Sequence, residues 1–85
     1  MQIYLLLCEV TDTETNDMQV WPYGYSTNYE DAKKALHKWI ENDIANGEIP
    51  EDAEGDWYDE EYEDFYTICN DTKKWVYYVS EIDEV

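Results

Sequence analysis

The sequence predicts an α+β domain: a mainly antiparallel four-stranded sheet with one helix packed on a face, in the order β-β-α-loop-β-β. Three observations carry that reading. Apolar runs rich in β-branched and aromatic residues open and close the chain. Between them lies a segment whose apolar residues recur at three- and four-residue spacing, with capping residues at both ends. Clusters of Thr, Asn, Asp, Gly and Pro punctuate the rest.

Ile3 to Val10, I-Y-L-L-L-C-E-V, is short and nearly continuous, and the polar stretch after it favours a strand over a buried helical turn. Ile3, Leu5 and Leu7 then point one way, and Tyr4, Leu6, Cys8 and Val10 the other. Thr11 to Asp17 is a turn whose side chains satisfy their own backbone. Met18 to Trp21 is a second strand, antiparallel to the first. Pro22 either ends regular pairing or places this strand at an edge. Tyr23-Gly24-Tyr25 bends the chain toward the helix.

The helix starts at Thr27, in a capping box with Glu30, or at Asn28. Tyr29, Ala32, Leu36, Trp39 or Ile40, and Ile44 make its apolar stripe. Asn46-Gly47 ends it, with Gly47 free to take the left-handed conformation. Three of the five lysines, Lys33, Lys34 and Lys38, lie on this helix, which predicts an asymmetric charge distribution.

Glu48 to Asp64 holds ten carboxylates in seventeen residues and no basic side chain. Pro50 and Gly55 break it, so its first half reads as loop. Tyr58, Tyr62 and Phe65, at i, i+4 and i+7, would allow two helical turns from Trp57 to Asp64. Repulsion between Asp56 and Glu60, and between Asp59 and Glu63, opposes them. Helix and irregular loop both stay open. Phe65 to Cys69 is the third strand, Asn70 to Lys73 a hairpin connection, and Lys74 to Ile82 the fourth strand. In that last strand Trp75, Tyr77 and Val79 share one face, and Val76, Tyr78 and Ile82 the other. One helix covers one face of such a sheet. The uncovered, aromatic face would suit a homodimer or a partner site.

Eighty-five residues form one domain, 1–85, with the acidic aromatic segment 48–64 set between the helix and the last hairpin. The net charge is −17, from 22 acidic residues against five lysines and no arginine, and the mean hydropathy is −0.80. A field of that sign repels nucleic acid and anionic membrane and favours basic proteins or cations. Cys8 and Cys69 lie in apolar runs and read as free core residues of a reduced, cytoplasmic protein. No basic n-region, cleavage site or bilayer-length apolar segment is apparent.

Catalytic patterns are missing. His37 is a lone histidine on the lysine side of the helix. Ser26 and Ser80 sit in no nucleophile motif, and no phosphate-binding glycine loop occurs. The chain reads as no enzyme, with neither cofactor nor metal. Asp52, Glu54, Asp56, Tyr58, Glu60 and Glu63 do match the ligand positions of an EF-hand loop. The sixth position, where that loop needs Gly, is Trp57.

Plain acidic tails are poor in large rings, whereas this one interleaves them with its carboxylates. We therefore read Asp56, Asp59, Glu60, Glu61, Glu63 and Asp64 as phosphate surrogates and Trp57, Tyr58 and Tyr62 as anchors for a basic partner. In its length, its charge, its lack of Arg and the segment D-W-Y-D-E-E-Y-E-D at Asp56 to Asp64, the chain resembles small phage or mobile-element DNA-mimic inhibitors of the anti-restriction and anti-CRISPR kind. That resemblance implies action in a host cell's cytoplasm on the DNA- or RNA-binding channel of a nucleic-acid enzyme. The alternative is a small structural or regulatory adaptor whose acidity is incidental. It would bind through the uncovered sheet face with residues such as Trp75 and Tyr77.

Overall fold

The computed structural model describes residues 2–58, 61–62 and 64–83. The α+β class holds, with one helix and an antiparallel sheet among the described residues. The sheet has five strands where the sequence predicted four: β1 (Gln2–Asp12), β2 (Met18–Ser26), β3 (Glu54–Trp57), β4 (Phe65–Cys69) and β5 (Lys73–Asp83). Their spatial order is β2-β1-β5-β4-β3, with every neighbouring pair antiparallel. The first and last strands of the chain thus pair at the centre.

The additional strand is β3. It falls inside the acidic segment, where a loop was expected. Four residues suffice because Asp56 pairs with Thr67 and Trp57 with Tyr66, while Gly55 passes beneath the Tyr66 ring. A Glu54–Trp57 strand is also incompatible with an EF-hand loop over Asp52 to Glu63. Tyr58 is a bend and Glu61-Tyr62 a turn, so neither belongs to a helix. Asp59, Glu60 and Glu63 lie outside the described residues.

Pro22 does not end its strand. β2 is an edge strand and runs on to Ser26, and the register shifts between Leu6 and Leu7 so that Leu6 faces Gly24 and Leu7 faces Pro22. Tyr23 is the extra residue of that bulge. An edge position and an irregular register are the settings in which a strand tolerates a residue without an N–H.

The helix, α1, spans Tyr29–Ala45. Asn28 is its cap, accepting a hydrogen bond from the backbone N–H of Asp31 at 3.2 Å. At the other end Gly47 has φ +79°. Its N–H donates to the carbonyl of Ile44 at 3.2 Å, and the N–H of Glu48 to that of Asp43 at 2.9 Å. This pair of bonds is the Schellman arrangement, for which a residue without Cβ is favoured at the left-handed position. Ile49 then drops into the core and holds the following loop down.

α1 lies across β5, β1 and β2. Ala32, Leu36 and Ile40 meet Leu6 and Cys8 of β1, Ile68 of β4, and Trp75 and Tyr77 of β5 in one core. Two assignments need correction. Ile44, placed on the buried stripe by spacing, is 48% exposed, and Asp43 turns toward the sheet instead. Trp75 and Tyr77, offered as residues of the uncovered face, are buried beneath the helix. Cys69 is likewise exposed and not in the core, on the face opposite the buried Cys8.

Two outcomes test this packing. A Cβ at Gly55 would collide with the Tyr66 ring and hydroxyl, whereas one at Gly24 meets nothing within 4 Å. Gly55→Ala should cost about 1–3 kcal/mol in urea unfolding, by overpacking. Gly24→Ala should stay within about 0.5 kcal/mol of the parent. Burial pushes the Cys8 thiol up to about 11, against some relief from the Tyr77 hydroxyl. A thiol reagent at pH 8 should therefore modify Cys69 at once and Cys8 only on unfolding, because the thiolate is the reactive form.

Candidate functional site

The nine residues singled out from sequence do not form one uniform patch. Asp56, Tyr58, Glu61 and Tyr62 are exposed, Tyr58 to 85% and Tyr62 to 52%. Trp57 is half-buried: its ring stacks on His37 with centroids 4.6 Å apart and meets Tyr66 at the same distance. It ties β3 to α1, which leaves Tyr58 and Tyr62 as the more exposed rings of the segment. His37 is correspondingly part of a ring stack and more than a solvated side chain.

Asp64 also belongs partly to the fold. Its Oδ2 accepts the Tyr29 hydroxyl at 2.8 Å, and its carbonyl accepts the Val79 N–H at 3.1 Å. Two further tyrosines behave alike. Tyr77 donates to Oδ2 of Asp43 at 2.6 Å, and Tyr78 to Oε1 of Glu9 at 3.0 Å. Desolvation, together with the accepting carboxylate in each case, holds all three phenols above the ordinary tyrosine range. These pairs were not visible in the sequence. They depend on strand register and on which way the last helical turn faces.

The remaining acidic side chains of the segment, Glu48, Glu51, Asp52 and Glu54, are exposed, as are Glu14, Asp17, Glu30, Asp31, Glu41, Asp71 and Glu81 elsewhere. Negative charge therefore runs round the whole body and is not confined to residues 48–64. The lysines cluster as expected: Lys33, Lys34 and Lys38 line a shallow concavity on the outer side of α1.

Two surfaces stand out beside the carboxylates. The sheet face away from α1 is uncovered among the described residues. By register it carries Leu5 and Leu7 of β1, Val20 and Tyr25 of β2, Phe65 of β4, and Tyr78 and Ile82 of β5. Tyr58, Phe65 and Tyr78 continue as a row of rings with centroids 5.7 Å apart at each step. The second surface is an open concavity of 340 Å³ between the C-terminal end of α1 and the β2-β1-β5 part of the sheet. Trp21, Trp39, Trp75, Asp43 and Glu48 are among its walls.

No group of three or more His, Cys, Asp or Glu residues is arranged to hold a metal ion among the described residues. Nor is any helix there long and apolar enough to cross a membrane. No protein-family model matches the chain, and neither a similar curated protein nor a similar solved structure was found.

The tyrosine–carboxylate pairs set a pH dependence. A phenol whose folded pKa is raised contributes stability in full below the unfolded value near 10, and loses it as pH rises through the folded value. The urea midpoint should therefore decline above about pH 10. Part of the phenolate absorbance should appear only with unfolding. In Tyr29→Phe or Tyr78→Phe that delayed fraction should shrink.

Proposed function

We propose that the chain is an acidic protein-binding inhibitor that imitates nucleic acid and occupies the basic DNA- or RNA-binding channel of a nucleic-acid enzyme. One observation carries the reading. A net charge of −17 sits on a body 40 × 23 × 23 Å, which is one net negative charge per about 2.4 Å of its long axis. Duplex DNA carries one per ~1.7 Å.

Density alone would describe any polyanion. A folded anion adds carboxylates fixed to a sheet and helix, so their ordering cost is met on folding and not on binding. Asp56 on β3 and Glu61 in the turn beyond it are both exposed and supply such groups. Arginines that fork onto phosphate oxygens fork onto carboxylates in the same way. Tyr58 and Tyr62 provide the apolar contact that discriminates a protein groove from bulk counterions. Electrostatic steering of so charged a body would make association fast and salt-sensitive. Interaction with DNA itself, or with an anionic membrane, would be opposed by the same field.

The uncovered sheet face favours a second reading, an adaptor that docks through Phe65, Tyr78 and their neighbours while the acidity is incidental. A homodimer formed on that face belongs to this reading too. Salt separates the two, because burial of rings survives ionic screening and long-range charge attraction does not.

The test uses the protein's captured partner on an immobilised chain. Under the inhibitor reading, duplex DNA displaces the partner and raised salt weakens binding steeply. The combined variant Asp56→Lys, Glu60→Lys and Glu61→Lys then abolishes capture. Retention through high salt and excess DNA, with loss only in Phe65→Ala or Tyr78→Ala, would replace this reading by the adaptor.

A further inference from the structure

The concavity at the end of α1 combines three features that attract an organic cation. Rings come first. Trp21 of β2 is 55% exposed and pairs opposite Cys8, so it stands on the helix side of the sheet at the mouth of the cavity. Trp39 of α1 forms a second wall, held in place by Tyr23 stacked on it at 4.7 Å and by Tyr77 meeting it edgewise at 5.0 Å. Trp75 closes the floor and is buried. A positively charged group is drawn to the faces of such rings, most strongly to tryptophan.

Carboxylates come second. Asp43 and Glu48 line the same cavity from the last turns of α1 and the residue after Gly47. Only one oxygen of Asp43, Oδ2, takes the Tyr77 hydroxyl, a bond that orients the carboxylate beside the cavity. The third feature is the helix terminus. α1 ends here with no basic residue in its last turn, so no cation of that turn neutralises Asp43 or Glu48. Rings, carboxylates and helix terminus converge on 340 Å³, space for a side-chain head group and its stem.

We propose that this concavity receives the guanidinium of an arginine on the basic partner protein, laid on Trp21 and held by Asp43 and Glu48. The inference rests on the inhibitor reading for its partner but uses residues outside the segment Asp56 to Asp64. Arginine is favoured over lysine by its planar fork, which stacks on an indole and reaches a carboxylate at the same time. The pocket then gives a nucleic-acid mimic what a phosphate backbone lacks, a shaped socket for one particular side chain.

The probe is the peptide acetyl-Gly-Gly-Arg-Gly-Gly-amide, with its citrulline counterpart as an uncharged near-isostere. The readout is the set of indole N–H resonances of the ¹⁵N-labelled full chain. The arginine peptide should shift the Trp21 and Trp39 signals saturably. The citrulline peptide should bind at least about tenfold more weakly, as loss of a cation–π contact and of a charge-assisted bond would give. Trp21→Ala and Glu48→Gln should each weaken the arginine peptide while the rest of the spectrum keeps its dispersion. Equal responses to both peptides, or still Trp21 and Trp39 signals with shifts confined to residues 56–64, would overturn the pocket. The latter pattern would leave the acidic reading standing. Arginine-selective shifts in a chain whose captured partner ignores DNA would do the reverse, sustaining the pocket and removing the inhibitor.

Discussion

Three hydrogen bonds from tyrosine hydroxyls to carboxylates hold this protein in shape. With 22 acidic side chains and five lysines, carboxylates far outnumber the cations that could neutralise them. Tyrosine solves the problem differently, because a phenol satisfies a carboxylate oxygen without adding charge. Tyr29 with Asp64 fastens the start of α1 to the chain entering β4. Tyr77 with Asp43 fastens its end to β5. Tyr78 with Glu9 joins β5 to β1 on the opposite face of the sheet. The helix is thereby secured at both ends, and the sheet's central pair is tied across its open side, with the net negative charge undiminished.

Much of the fold was legible because local chemistry and tertiary context agree along most of the chain. Asn28 and Gly47 bound α1 through backbone geometry that depends on a handful of neighbouring residues. β1, β4 and β5 declared themselves by apolar runs and by the Asn70 turn, whose side-chain oxygen collects the N–H groups of Thr72 and Lys73. The sequence failed where tertiary contacts overrode local signals. Glu54 to Trp57 has poor strand composition, but Gly55 lets Tyr66 close over it and Trp57 finds His37. Ile44 obeyed the helical period, yet the final turn faces the sheet with Asp43, where Tyr77 waits. Which face of β5 the helix covers is likewise undetermined by an alternating pattern that carries rings on both sides.

The candidate site was legible as chemistry and less so as geometry. Composition pointed to residues 56–64, and of these the structure leaves Asp56, Tyr58, Glu61 and Tyr62 exposed while committing Trp57 and Asp64 to internal contacts. The concavity built by Trp21, Trp39, Trp75, Asp43 and Glu48 gave no sequence signal, since its walls come from β2, α1, β5 and the loop after the helix. Only the register of β2 against β1 brings Trp21 to the helix side. The molecule thus divides its surface into an encircling band of carboxylates, a tryptophan-walled hollow and an apolar sheet face. Under the proposed function the first two cooperate on one basic partner.

Carboxylate footprinting by carbodiimide coupling and mass spectrometry, comparing the free chain with its partner-bound form, reads the anionic surface directly. In the complex, labelling of Asp56, Glu61 and Glu48 should slow. A complex in which all three label at the free chain's rate would show a partner docked elsewhere, through rings and not through carboxylates.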